Sequence, residues 1–173
     1  MLKAVFFDLG DTLIVEQGDR HLDFGEAPFD AMPQAEETLI ALKRKGLKVG
    51  IITNTDTSRE KDVRKTLQQL SLESYIDFIV TSVDAGCEKP DGRIFSIALR
   101  IAGVKATEAV MVGDRVAKDI VGGNRIGMKT ILFKWNQRYS ETVTGQEEKP
   151  TYTIRSLREL QYALDQIERG PYQ

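Results

Sequence analysis

Five short runs of apolar residues recur along the chain, and each is rich in β-branched or aromatic side chains. The runs are continuous rather than alternating, which is typical of strands that are buried on both faces in a parallel sheet. Segments with apolar residues at helical spacing separate the runs. The predicted strands cover residues 4–7, 48–52, 78–80, 109–112 and 130–133.

The first two helical segments have recognisable ends. Pro33 stands where a first helix begins and Gly46 where it ends, which are the usual places of these residue types. Thr57 and Glu60 match a capping box, in which two side chains and two backbone N–H groups satisfy each other at the start of a helix. The sequence therefore predicts one helix on each side of the second strand.

A third helix is predicted between the third and fourth strands. Asp91 can cap its first turn, and Gly103 marks its end. Ile94, Ile97 and Ile101 are spaced so that they would share one face, which we expect to pack on the sheet.

Two more helices complete the pattern. One begins near Val116 and stops at Gly127. The last covers residues 156–168, where Ser156 and Glu159 form a second capping box. Strand and helix thus alternate along nearly the whole chain, which predicts right-handed βαβ units and an α/β fold.

The chain is long enough for one domain with a sizeable core, because it has 173 residues and 41% hydrophobic content. We expect residues 1–173 to form a single Rossmann-like, doubly wound domain, with a mainly parallel central sheet flanked by helices. Two stretches are less regular. We interpret residues 13–32 as a flap or loop over the site and residues 136–152 as a surface connection.

Charge and composition exclude some classes of partner. The net charge is -2 and the two signs are mixed along the chain, so the sequence carries no nucleic-acid-binding signature. No apolar stretch is long enough for a membrane span. Cys87 is the single cysteine, and the N-terminal apolar run is too short for a signal peptide. A cytoplasmic protein with a reduced thiol is the simplest expectation.

Polar side chains follow four of the predicted strands. Each has a structural explanation when taken alone, such as a turn or a helix cap. The carboxyl ends of parallel strands, however, lie at one edge of the sheet, where ligands bind in doubly wound folds. The polar residues at this edge are Asp8, Thr53, Asn54, Lys89, Asp114 and Asp119. Together they favour a functional site.

The residue types at this edge indicate the chemistry. The carboxylates of Asp8, Asp114 and Asp119 could not all stay ionised in one cleft unless a cation lay among them. Oxygen ligands without histidine or cysteine favour Mg²⁺. The single histidine, His21, is far from these motifs in sequence, so zinc chemistry has little support. Metal-assisted phosphoryl chemistry fits best, with Lys89 available to meet phosphate charge.

Four segments carry a resemblance to a known family. In order along the chain they read "FFDLGDTL", "IITNTD", "CEKPDGRIF" and "VMVGDRVAKD". They resemble the four motifs of the haloacid dehalogenase superfamily, over residues 3–133. The resemblance implies an Mg²⁺-dependent phosphatase in which Asp8 is the nucleophile, forms an aspartyl-phosphate and binds the metal. Further ligands would be the Gly10 carbonyl, Asp114 and Asp119, the last directly or through water.

The resemblance also assigns the phosphate-binding residues. Thr53 would hydrogen-bond the phosphoryl oxygens beside the Asn54 backbone, and Lys89 would neutralise charge on the nucleophile and on the phosphoryl group. The role of Arg115 stays open: its side chain either contacts the leaving group or contacts only solvent.

The match departs from the family pattern at one position. Phosphatases of the superfamily usually carry an Asp two residues after the nucleophile, where it acts as the general acid, and here that residue is Gly10. Asp11 either takes over this role or supports the turn, and we favour the turn. Two alternatives follow: an interaction module that binds Mg²⁺ or phosphate with weak or no turnover, and a haloacid dehalogenase, which the carboxylates at 114 and 119 disfavour.

The spacing of the motifs leaves no room for a separate cap domain. Thr53 follows Asp8 by 45 positions and Lys89 follows Thr53 by 36, and the predicted helices and strands fill most of both gaps. The resemblance to capless members implies either a phosphorylated macromolecule as substrate or a homo-oligomer in which a neighbouring subunit covers the site. A phosphorylated small molecule is the other substrate class.

Two short segments could contribute to substrate contact. The candidate side chains of the flap are His21, Phe24 and Phe29, but anchoring of the phenylalanines on the core is the favoured interpretation. After the fifth strand, the segment 134–139 could line the rim of the site, but a surface loop with a packed tryptophan is the favoured interpretation. Its candidate side chains are Lys134, Trp135, Arg138 and Tyr139.

Overall fold

The computed structural model describes residues 1–16, 24–26, 28–139 and 142–170. In this part of the chain, six strands form one sheet in which every neighbouring pair is parallel, and two short strands form a separate antiparallel pair. The eight strands are β1 Ala4–Phe7, β2 Ile14–Val15, β3 Asp30–Ala31, β4 Lys48–Thr53, β5 Phe78–Thr81, β6 Ala109–Gly113, β7 Lys129–Phe133 and β8 Tyr152–Ile154.

Six α-helices accompany the strands in the described residues. None of them is both long and apolar enough to cross a membrane. The helices are α1 Ala35–Arg44, α2 Glu60–Gln69, α3 Ser82–Ala85, α4 Gly92–Ala102, α5 Val121–Arg125 and α6 Leu160–Arg169. Short 3-10 turns cover Glu73–Tyr75, Ala106–Glu108, Gln146–Glu148 and Leu157–Glu159, and a π-helical turn, Val116–Ile120, precedes α5.

The strand order of the large sheet is β5-β4-β1-β6-β7-β8. The chain starts at β1, moves outward through β4 and β5, and then returns to the other side of β1 for β6, β7 and β8. This arrangement is the doubly wound topology, so the predicted fold class is confirmed. The topology reverses between β1 and β6, which is where ligands bind in such sheets.

The core has two parts, one on each face of the sheet. Alternate residues of β1 serve both: Val5 and Phe7 pack in the cluster that contains the apolar faces of α1, α2 and α6, whereas Ala4 and Phe6 pack in the cluster beneath α4. All four side chains are fully buried. This double burial explains why the strands read as continuous apolar runs.

Several helix ends agree with the sequence. The Asp91 carboxylate accepts a hydrogen bond from the Arg93 N–H at 2.9 Å and caps α4, and Gly103 ends that helix with φ at 65°. The N–H of Ser156 donates to Glu159 at 3.0 Å in the predicted second capping box. The last helix starts there with a 3-10 turn and continues as α6 to Arg169.

The prediction for the start of α2 was wrong. The helix begins at Glu60, and the cap is formed two residues after Thr57, where the N–H of Arg59 donates to the Asp62 carboxylate at 2.9 Å. The Glu60 N–H donates to Asp84 at 2.8 Å. A partner distant in sequence thus fixes the first turn, which local spacing could not reveal.

The predicted face of α4 was partly wrong. Ile94 is fully buried and Ile97 is partly buried, but Ile101 is 55% exposed. The buried residues of α4 are Ile94, Phe95, Ala98 and Ala102. The packed face therefore includes Ile94 but excludes Ile101.

The stretch 136–152 ends in a strand that the sequence did not predict. Residues 146–148 form a 3-10 turn, and Tyr152 starts β8 at the edge of the sheet, where Ile131 pairs with Tyr152. Within β8 only Ile154 is fully buried, whereas Tyr152 is half-buried and Thr153 exposed. So short an edge strand carries little apolar signal.

The stretch 13–32 begins and ends as a hairpin. Ile14 pairs with Ala31 and Val15 with Asp30 in the antiparallel pair β2–β3. Phe24 and Phe29 stack with ring centroids 5.2 Å apart and pack against the core, which agrees with the anchoring interpretation. His21, and with it the middle of the predicted flap, lies outside the described residues.

Candidate active site

Three carboxylates meet where the topology of the sheet reverses. Asp8 directly follows β1, Asp114 directly follows β6, and Asp119 lies in the π-helical turn. Each offers one oxygen, and the three oxygens lie within 4.8 Å of one another. A Cβ atom at Gly113 would collide with the Asp119 side chain, so a glycine is needed there for Asp119 to approach. We call these three residues the inner cluster.

Lys89 binds two members of the inner cluster. Its Nζ lies 2.7 Å from Asp8 Oδ1 and 2.6 Å from Asp119 Oδ1. The Lys89 side chain is 3% exposed. Burial opposes the ammonium charge, but the charges of Asp119 and Asp8 outweigh it and raise the pKa of Lys89. The lysine is therefore held in its charged form beside Asp8.

Asn54 positions Lys89 through its side chain. Its Oδ1 accepts a hydrogen bond from the Lys89 N–H at 2.8 Å, and its Nδ2 donates to the Lys89 carbonyl at 3.0 Å. The sequence pointed only to the Asn54 backbone. Thr53 is the last residue of β4, the strand beside β1, and is 3% exposed. Both residues therefore lie at the same sheet edge as the inner cluster.

The charges of the inner cluster do not balance. Three carboxylates face one ammonium, and burial together with the charge of Asp8 raises the pKa of Asp114 to about 10. Burial raises the pKa of Asp119 to about 6, although Lys89 opposes the rise. Asp114 Oδ1 is buried with no hydrogen-bond partner in the described residues.

This imbalance is what a divalent cation would correct. A buried carboxylate oxygen without a partner is costly, and a bound cation would satisfy it while lowering the raised pKa values of Asp114 and Asp119. The donor set is oxygen only, which suits Mg²⁺. The residues present therefore fit the metal that the sequence predicts.

The Asp11 carboxylate has hydrogen-bond partners outside the inner cluster. It is 1% exposed and has a positive φ of 52°. Its Oδ1 accepts a hydrogen bond from the Glu16 N–H at 3.0 Å, and its Oδ2 accepts one from Arg138 at 2.7 Å. The turn-supporting interpretation of Asp11 is therefore confirmed.

Glu16 was missed by the sequence analysis, since it belongs to no motif. A Cβ atom at Gly10 would collide with the Glu16 carboxylate, so that carboxylate occupies the space that a side chain at position 10 would need. Burial raises the pKa of Glu16, and the charges of Asp11 and Asp8 raise it further. We call Asp11 and Glu16 the outer pair of acids.

The segment after β7 lies at the rim of the site. This position was one of the two interpretations of the segment drawn from the sequence. Arg138 bonds to Asp11, and the guanidinium carbon of Arg115 lies 4.2 Å from the centroid of the Tyr139 ring. Trp135 is partly buried against the core, in agreement with the packed tryptophan of the other interpretation. Both interpretations thus describe part of the segment.

Comparison with known proteins identifies the family of the chain. Residues 7–133 match the family described as haloacid dehalogenase-like hydrolase. The match covers most of the 173 residues, so the chain belongs to the haloacid dehalogenase-like hydrolase family. A solved structure of a HAD phosphatase from Thermococcus onnurineus has the same fold, with a TM-score of 0.79 and 24% identity over 94% of this chain and 98% of that chain.

Two curated relatives are more similar in sequence. Glyceraldehyde 3-phosphate phosphatase of Pyrococcus furiosus is 38% identical over 138 residues, which cover 80% of this chain and 55% of that protein. Ribulose-1,5-bisphosphate 5-phosphatase of Halopiger xanaduensis is 33% identical over 155 residues, which cover 87% and 63%. The chain thus spans between half and two thirds of the length of these relatives.

Proposed function

We propose that the protein is an Mg²⁺-dependent phosphatase that hydrolyses phosphomonoesters through an aspartyl-phosphate on Asp8. The observation that carries the proposal is the inner cluster itself. Asp8 lies beside a charged Lys89 and two further carboxylates, and an oxygen of Asp114 has no partner among the described residues. The family membership of the chain supports the same reaction type.

In the proposed reaction, a carboxylate oxygen of Asp8 attacks phosphorus and the bond from phosphorus to the ester oxygen breaks. The alkoxide leaves and takes a proton from water to become the alcohol. Water then attacks the aspartyl-phosphate, which releases inorganic phosphate and regenerates Asp8. The hydrogen bond from Lys89 orients Asp8 and offsets negative charge as the phosphoryl group approaches. Thr53 and the Asn54 backbone would bind phosphoryl oxygens, and Asn54 also fixes Lys89 through its side chain.

The metal would be held by Asp8, Asp114, Asp119 and the Gly10 carbonyl. When bound, it would supply positive charge that the inner cluster lacks, which would let an anionic phosphate enter beside three carboxylates. Without it, Asp114 would hold a proton at neutral pH, since its pKa lies at about 10.

We propose a phosphorylated small molecule as the substrate. Both curated relatives are named for the phosphate ester of a small sugar or sugar derivative.

Neither position 10 nor position 11 offers an acid that could protonate the leaving group. Gly10 provides no acid, and Asp11 is bonded to Arg138 and to the Glu16 backbone. Esters with a leaving group of low pKa should therefore react fastest, because they need least protonation. The cytoplasmic location and the homo-oligomer stay predictions from the sequence.

The test is hydrolysis of p-nitrophenyl phosphate with Mg²⁺ and with EDTA. Wild type should be active only with the metal, and Asp8→Asn should be inactive. Asp11→Asn is the matched control, because it changes an acid in the same loop that we place outside the reaction, and asparagine tolerates the positive φ at this position.

Two results would contradict the proposal. Equal activity of wild type and Asp8→Asn would exclude Asp8 as the nucleophile. A wild-type protein that gains thermal stability with Mg²⁺ but shows no turnover on this ester or on a panel of sugar phosphates would instead be a metal-binding module.

A further inference from the structure

Two arginines lie at the rim of the site, and they have different partners. Arg138 is paired: its guanidinium lies 2.7 Å from Asp11 Oδ2 and 3.4 Å from Glu16 Oε2, and it donates to the Glu16 carbonyl at 3.2 Å. The Arg115 guanidinium instead lies against the face of Tyr139. Among the residues that the structure describes, no carboxylate forms an ion pair with Arg115.

The backbone of Arg115 is fixed to the inner cluster. The residue directly follows Asp114, and its N–H donates to Asp119 Oδ2 at 3.0 Å. Its side chain begins at the edge of the inner cluster and reaches the ring of Tyr139, 24 residues further along the chain. Arg115 therefore spans from the reacting groups to the rim.

Electrostatic effects agree with this position. Burial raises the pKa of Tyr139, the charges of Glu16 and Asp114 raise it further, and the charge of Arg115 opposes the rise. Arg115 likewise opposes the rise in the pKa of Glu16. Both the inner cluster and the outer pair are thus close enough to act on the Arg115–Tyr139 contact.

Within the described residues, the contact with Tyr139 leaves the hydrogen-bonding edges of the Arg115 guanidinium available. A guanidinium is planar, and its five N–H donors lie in that plane, so a ring against one face does not consume them. Stacking also restricts the side chain, which lowers the entropy lost when the donors bind a ligand. Arg115 is therefore a preorganised donor beside the place where the leaving group of the substrate would lie.

We propose that Arg115, held by Tyr139, binds a second anionic group on the leaving group of the substrate. The protein would then select phosphomonoesters that also carry a carboxylate or a second phosphate, both of which match the guanidinium fork. Arg138 cannot serve in this way, because Asp11 and Glu16 occupy it. This inference rests on the proposed phosphatase function.

The test compares esters that differ only in the second group. 3-Phosphoglycerate carries a carboxylate where glycerol 3-phosphate carries a neutral hydroxymethyl group, and fructose 1,6-bisphosphate carries a phosphate that fructose 6-phosphate lacks. In wild type, kcat/KM should favour the member that carries the second anionic group in at least one pair. Arg115→Met should lower that preference about 10- to 100-fold, the usual range for a lost hydrogen bond to a charged group.

Variants of Tyr139 separate the ring from its hydroxyl group. Tyr139→Phe keeps the stacking surface and should retain most of the preference, whereas Tyr139→Leu should lose part of it. Arg125→Met is the control, because Arg125 pairs with Glu147 at the surface, away from the site. An Arg115→Met variant with the wild-type preference in both pairs would overturn the proposal.

Binding measurements make the result independent of turnover. In Asp8→Asn with Mg²⁺, calorimetry should show tighter binding of the ester that carries the second anionic group, and adding Arg115→Met should remove the difference. If the protein hydrolyses no ester but Arg115→Met removes the difference in binding, the phosphatase function is contradicted and the anion site is supported. If the protein hydrolyses esters but neither binding nor kcat/KM distinguishes the members of either pair, the anion site is contradicted and the phosphatase function is supported.

Discussion

The inner cluster and the outer pair of acids lie beyond the same strand, β1, but their charges are balanced differently. Within the described residues, Lys89 is the one cation that forms ion pairs in the inner cluster, with Asp8 and Asp119, and an oxygen of Asp114 is unpaired. In the outer pair, the Arg138 guanidinium contacts both carboxylates and the Glu16 carbonyl. In the inner cluster one carboxylate, Asp114, is not bonded to the single cation, whereas in the outer pair the single cation contacts both carboxylates.

This difference in ion pairing distinguishes a functional carboxylate such as Asp8 from a structural one such as Asp11 more clearly than their spacing in the sequence does. Asp8 and Asp11 are three residues apart, and both are largely buried. Asp8 belongs to the group that lacks positive charge, so a cation and an anionic substrate can be accommodated there together. Asp11 has its partners within the chain and holds the turn between β1 and β2.

The largest expected effect comes from removing the cation of the inner cluster. Lys89→Met leaves Asp119, which is fully buried, without its ion-pair partner. Breaking a buried ion pair in this way typically costs about 3–5 kcal/mol. We expect a loss of this size in the free energy of unfolding, measured by urea denaturation with EDTA, together with loss of activity.

The matched control is Lys43→Met, which breaks an exposed pair with Asp77. Such pairs contribute about 0–1 kcal/mol. If Lys89→Met lowered the free energy of unfolding no more than this control, the buried contacts of Lys89 would not persist in solution. The difference in ion pairing between the inner cluster and the outer pair would then be contradicted.

A smaller effect is expected at the outer pair. Arg138→Met leaves Asp11, 1% exposed, with an unpaired oxygen, which should cost about 1–3 kcal/mol. Because Arg138 does not contact the inner cluster, the dissociation constant of Mg²⁺, measured by calorimetry, should stay close to that of wild type. A large loss of Mg²⁺ affinity would show that the two groups act as one site.

The last effect, which is small over any one pH unit, is a dependence of stability on pH in the metal-free protein. The pKa of Asp119 in the folded state is raised from 3.8 to about 6, and that of Asp114 to about 10. Between the unfolded and folded values the native state binds more protons than the unfolded state, so stability falls as pH rises. For each proton the slope is at most about 1.4 kcal/mol per pH unit.

This slope should depend on Mg²⁺ and on the inner cluster. Saturating Mg²⁺ should abolish it, because the metal favours the ionised acids, and Asp114→Asn should reduce it in EDTA. Urea unfolding at a series of pH values above 4 measures both effects. A metal-free stability that rises with pH over this range would contradict the charge imbalance.

Some of the fold follows directly from local patterns in the sequence. The five predicted strands are present because a strand buried on both faces, such as Ala4–Phe7, must be apolar throughout. The edge strand Tyr152–Ile154 was not predicted, since only Ile154 is fully buried. The start of α2 and the exposure of Ile101 also depend on neighbours that local spacing does not specify.

By itself, the sequence determined the doubly wound fold and the set of polar residues at its ligand-binding edge. This was possible because parallel strands align their carboxyl ends, so each polar residue that follows a strand is placed by topology alone. Asp8, Lys89 and Asp114 could therefore be grouped from their order in the chain.

Only the tertiary structure decided which charges are paired. Arg138 reaches Asp11 across 127 positions, Tyr139 supports Arg115, and the Glu16 carboxylate lies beside Gly10. These contacts join loops whose paths do not follow from strand or helix periodicity. An ion pair forms where two loops bring opposite charges together, so a local pattern shows that the charges exist but not which of them meet.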